Sequence, residues 1–78
     1  MKAQTIPQEV YQAFLKQRAI MDQEPVSYEQ FVADLFKWYG EYEKYQVSLD
    51  YAAEQMGIGE GHLIDLLVML HWTVSIYQ

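Results

Sequence analysis

Apolar residues return along this chain at helical spacing, in four runs separated by proline, serine and glycine. In the first run, Val10, Tyr11, Phe14, Leu15 and, at its far end, Met21 form one stripe. Pro7 is expected at the first helical position, where a missing N–H costs nothing. Glu9 complements the positive end of the helix dipole. The helix should stop before Pro25, because Glu24, preceding a proline, is pushed away from helical angles.

The second start signal is stronger. Ser27-Tyr28-Glu29-Gln30 reads as a capping box, with Ser27 as N-cap and Gln30 at N3, and Val26 and Phe31 take the hydrophobic-staple positions. The stripe that follows is Phe31, Val32, Leu35, Phe36, Trp38, Tyr39, Tyr42 and Tyr45. Gly40 weakens this helix by about 1 kcal/mol relative to Ala without ending it. Ser48 starts a third helix, whose face is Leu49, Ala52, Ala53 and Met56. Gly57 is placed as the left-handed residue that closes it.

Beyond the turn Gly57–Gly61, Leu63, Leu66, Leu67 and Leu70 form a fourth stripe, widened by Ile64 and Val68. A helix apolar on most sides is expected to be buried. Residues 1–6 are extended at best. Trp72 to Tyr77 alternate with period two, the pattern of a short edge strand. The fold class predicted is all-α or nearly so: a four-helix small domain with short terminal strands.

Length limits what this fold can hold. The chain has 78 residues, enough for a single domain over 1–78. A domain of this size buries only about 60% of its unfolded surface. Hydrophobic residues make up 51% of the chain, with seven Tyr, three Phe and two Trp, which is too apolar for a disordered segment. One chain would struggle to hide so many large side chains, so a homodimer is expected. Cysteine is absent, and Met1–Val10 shows no apolar leader, so a reducing, cytoplasmic setting without a signal peptide is expected. The longest apolar stretch, Leu63–Trp72, is interrupted by Asp65 and His71 and falls well short of a membrane span.

Charge adds a direction. The net charge is −6, and after Lys44 there is no Lys or Arg at all. Asp50, Glu54, Glu60 and Asp65 stand there against only His62 and His71. Such a surface repels phosphate backbones and attracts basic proteins, although ordinary solubilising charge would look the same.

Catalytic chemistry finds little support. His62 and Asp65 share a helix face, but one His and one carboxylate are too few for a zinc site. His71 reads as a cation at a helix C-terminus or a packed ring. Gly57-Ile58-Gly59-Glu60-Gly61 lacks the preceding strand and the Lys of a phosphate loop, so it reads as a turn and helix cap. No catalytic residue, cofactor or metal is expected, and the chain is not read as an enzyme. The segment Trp38–Tyr45, with Trp38, Tyr39, Tyr42 and Tyr45, is denser in aromatics than a small core needs. It reads either as core or as a surface where a partner or second copy docks. Flanking Glu41 and Glu43 disfavour stacking on nucleic-acid bases.

Two resemblances organise these features. Thr5-Ile6-Pro7-Gln8-Glu9-Val10, followed by a helix, a turn and the capped helix from Ser27, resembles a ribbon-helix-helix unit, a dimeric DNA-binding fold; this half is bounded as 1–45. The half bounded as 46–78 contains Ser48–Ile58 and Leu63–Leu67. It is similar to the C-terminal part of a family of small prokaryotic antitoxins, often encoded beside nuclease-like toxins. Ala53 and Gly57 match the small residue and turn glycine of a helix-turn-helix. The resemblance implies a regulator that binds a toxin-like protein or, alternatively, DNA. The residues depart from the DNA-binding pattern: Thr5 and Ala3 would face the groove, and the second helix of the helix-turn-helix offers Glu60, His62 and Asp65 with no Lys or Arg.

The expected function is therefore antitoxin-like or regulatory: binding a protein partner, such as a nuclease-like toxin, and occluding its basic groove. Trp38, Tyr39, Tyr42 and Tyr45 would be the anchors, and Glu60 and Asp65 the acidic rim. The alternatives are a DNA-binding autoregulator and a structural adaptor subunit in a larger assembly.

Overall fold

The computed structural model of the chain describes residues 6–72. It contains helices α1 (Gln8–Ile20), α2 (Tyr28–Glu43), α3 (Leu49–Gln55) and α4 (Glu60–Met69). The domain is all-α, and no strand occurs among the described residues. The strand expected toward Tyr77 and the extended stretch before Ile6 lie outside them.

Each helix start has a local cause. Pro7 sits one position earlier than expected, at the N-cap of α1, with an extended ψ of 147°. It has no side-chain acceptor to offer, but its carbonyl accepts the N–H groups of Val10 and Tyr11. Ser27 and Ser48 cap α2 and α3: their hydroxyls accept from the N–H of Gln30 and of Tyr51, both at 3.1 Å. Only half of the capping box at Ser27 forms. The Gln30 side chain turns along the helix and donates to Asp34 at 2.9 Å. That is the i, i+4 geometry available on an exposed helix face.

The helix ends share one device. In all four, the residue after the C-cap adopts a positive φ: Asp22 at 64°, Tyr45 at 61°, Gly57 at 78° and His71 at 62°. The N–H groups of Gln23, Gln46, Ile58 and Trp72 then reach back to the carbonyls of Arg18, Glu41, Ala53 and Leu67. These are Schellman closures, which satisfy carbonyls that a helix end would otherwise leave open. Thus α1 stops at Ile20, well before Pro25. Tyr45 lies beyond α2 rather than on its stripe.

The core draws on every helix. Val10 and Phe14 of α1 meet Phe31 and Leu35 of α2, and the Phe14 and Phe31 rings stack at 4.4 Å. Leu49, Ala52 and Ala53 of α3 and Leu63, Leu66 and Leu67 of α4 complete it. Ala52 and Ala53 are fully buried, which lets α3 and α4 approach closely. Helix α4 packs on both α1 and α3, and α3 packs on α2. The two halves read from the sequence therefore share one interior.

Three core residues lie outside the helices: Ile6, Met56 and Ile58. Ile6 is held by the Tyr28 hydroxyl, which donates to its carbonyl at 2.5 Å, while the Tyr11 hydroxyl donates to Val26 O at 2.6 Å. The two tyrosine rings meet edge to face at 5.4 Å. Each ring packs in the interior while its hydroxyl satisfies a backbone carbonyl of an irregular segment.

The burial expected around α4 is incomplete. Val68 is 61% exposed and Met69 41%. Helix α4 has neighbours on two sides only, so part of its apolar circumference faces solvent. Met21, expected at the end of the first stripe, is likewise exposed, because it is the C-cap of α1.

Candidate protein-interaction surface

The aromatic run of α2 divides between neighbours. Trp38 packs edge to face on Tyr51 of α3, with centroids 5.9 Å apart, and the Lys37 ammonium lies 4.8 Å from the Trp38 ring. Tyr39 faces the other way and meets Trp72 at 4.8 Å and Tyr42 at 6.0 Å. Phe36 meets Trp72 as well, at 5.4 Å. Trp38, Tyr39 and Tyr42 are half-buried against the core. Much of this aromatic density therefore secures the join between α2, α3 and the end of α4.

Tyr45 is different. It is 79% exposed and sits in the left-handed backbone region. A tyrosine there costs about 1–2 kcal/mol more than a glycine would. Its exposed ring has no packing role that offsets this cost. Tyr51, partly exposed on α3, lies across the α2–α3 connection from it.

The four acidic residues of α3 and α4 face water. Asp50 and Glu54 on α3, and Glu60 and Asp65 on α4, are exposed. Neither α3 nor α4 contains Lys or Arg. His62 is half-buried and His71 is exposed at the left-handed closure of α4. No group of three or more His, Asp or Glu side chains that could hold a metal ion occurs among the described residues. No helix among them is long and apolar enough to cross a membrane.

One polar brace was not foreseen from the sequence. Arg18, on the last turn of α1, donates from Nη1 to Met56 O and from Nε to Glu24 O, both at 2.7 Å. It ties the end of α3 to the α1–α2 connection. Beside it opens a cleft of about 390 Å³, lined by Met21, Gln23, Asp50, Glu54 and the backbone of Gly57–Gly59. Helical spacing alone could not show that Met21 and Asp50 lie on one cleft, because they come from opposite halves of the chain.

No family model matches the chain, and no curated protein or solved structure does so.

Proposed function

We propose that this protein is an antitoxin-like or regulatory binding protein that occludes the basic surface of a protein partner. The observation that carries the reading is the α3–α4 hairpin, whose exposed carboxylates are opposed by no Lys or Arg on either helix. Such a surface draws a basic partner by long-range attraction and discourages nucleic acid. The resemblance of Ser48–Ile58 and Leu63–Leu67 to the antitoxin family supports the same reading. So does the exposed ring of Tyr45, an aromatic of the type enriched at protein interfaces.

The mechanism is steric and electrostatic. Carboxylates take the place that RNA phosphates would occupy on the partner, and Tyr45, with Tyr51 nearby in sequence, supplies apolar contact at the edge. Trp38, Tyr39 and Tyr42 hold the surface in shape from below.

The test is to co-express the chain with the product of each reading frame flanking its own and to assay any small basic one for nuclease activity. The expected result is a complex that suppresses nuclease activity and weakens as salt rises from 50 to 300 mM. Sequence-dependent binding to duplex DNA at physiological salt, with no nuclease inhibition, would overturn this reading in favour of a DNA-binding autoregulator.

A further inference from the structure

We infer that the cleft between the α1–α2 connection and the α3–α4 turn seats a basic segment of the protein partner, one Lys or Arg side chain flanked by an aliphatic residue. This rests on the proposed function and locates its contact. The volume, about 390 Å³, lies at the small end of ligand-sized clefts, which run from about 300 to 1,000 Å³.

Its walls are chemically distinct. Met21 lines the cleft and is 47% exposed. A thioether on an unbranched chain adapts to varied apolar contacts. Asp50 and Glu54 line the cleft too; four apart on α3, they share one helix face. The Gly57–Gly59 segment lines it as well; Arg18 fills the space a Cβ would take at Gly57, while at Gly59 nothing comes nearer than 3.8 Å.

This combination selects its occupant by charge. The methylene stem of a Lys or Arg lies on apolar surface while its head stays near water, and here the head would meet two carboxylates. Arg18 lies against Gly57 and donates from Nη1 and Nε to the Met56 and Glu24 carbonyls; its single positive charge still leaves the cleft net negative beside two carboxylates. An acidic or phosphorylated ligand would face two negative charges. Met21 favours an aliphatic neighbour for the basic residue.

The experiment uses the full-length, isotopically labelled chain and an acetylated, amidated Leu-Arg-Leu-Lys peptide, followed by amide chemical shifts. The expected shifts cluster at Met21, Gln23, Asp50, Glu54 and Gly57–Gly59. The exposed pair D50N/E54Q should weaken the peptide at least tenfold. The charge-matched pair E9Q/E29Q, at exposed first-turn positions of α1 and α2 outside the α3–α4 hairpin, should change it less than threefold. Equal losses in the two pairs, or shifts centred on α4, would overturn the assignment. The same variants on the whole nuclease-like partner separate the two claims. Inhibition that survives D50N/E54Q at full affinity sinks the cleft and leaves the function standing. Peptide binding at the cleft without inhibition of the nuclease sinks the function and leaves the cleft standing.

Discussion

Arg18 donates a 2.7 Å hydrogen bond to the carbonyl of Met56, a residue 38 positions further along the chain. Met56 is the C-cap of α3, so the bond satisfies a helix-end carbonyl with a charged donor from α1. With its second bond to Glu24 O and its guanidinium 5.8 Å from the Phe14 ring, Arg18 joins three segments. Arg18→Ala is expected to destabilise the fold by about 1.5–3 kcal/mol, the range for hydrogen bonds to a charged group. Urea unfolding measures this. An unchanged midpoint would mean that solvent replaces both bonds at no cost.

Gly57 meets the same arginine from the other side. A Cβ built there would lie 2.5 Å from Arg18 Nη1, on a backbone with φ of 78°. Gly57→Ala should therefore cost about 2 kcal/mol or more, combining left-handed strain with displacement of the guanidinium. In an Arg18→Ala background the collision is gone, and the cost of Gly57→Ala should fall to about 1 kcal/mol. Strict additivity in the double-mutant cycle would contradict the contact.

Ser27 and Gln30 should respond unequally. Ser27→Ala removes a real cap and is expected to cost about 1 kcal/mol. Gln30→Ala leaves that cap intact and loses only an exposed bond to Asp34, so it should cost less than about 0.5 kcal/mol. Thermal melts of both variants decide it. Equal losses would indicate that the full reciprocal box forms in solution.

Tyr45→Gly is expected to raise stability by up to about 1 kcal/mol, since glycine relieves the left-handed strain and little packing is lost. The same change should weaken binding to the basic partner. Denaturation and a binding titration on the same sample check both directions. A variant that is stabilised and binds unchanged would remove Tyr45 from the interface.

Phe36 and Val68 leave apolar area on the surface, and the homodimer expectation rests on such area being covered. Light scattering at micromolar concentration should give twice the monomer mass, and Val68→Lys should return the monomer. A monomer mass at all concentrations for the parent chain would defeat it and leave that surface to a different protein.

The sequence made the helices legible where a start signal or a periodic face was strong. Ser27 and Ser48 announced α2 and α3, and Leu49, Ala52, Ala53 and Met56 announced the buried face of α3. The ends were harder to read. Gly57 signals a left-handed closure, but Asp22, Tyr45 and His71 do the same work without glycine, held there by the backbone bonds that complete each closure. Ile6 and Ile58 were hidden because neither lies on a periodic stripe; tertiary packing alone buries them. Of the candidate anchors, Tyr45 is exposed as a docking residue would be, whereas Trp38, Tyr39 and Tyr42 are half-buried. An aromatic stripe looks the same in sequence whether it faces a core or a partner. The cleft was invisible for a different reason: its two walls are nearly 30 positions apart, and no local pattern records their meeting.

The bond from Tyr28 to Ile6 also fixes where the described chain enters the body, beside the start of α2. Met21 and the cleft stand at the opposite end of α1. Thirteen helical residues separate the two points by about 20 Å. A fluorophore or surface tether attached at exposed Gln8 would thus leave the Met21 end of the molecule clear. Immobilised or dye-labelled protein of this kind should report on the cleft without shielding it.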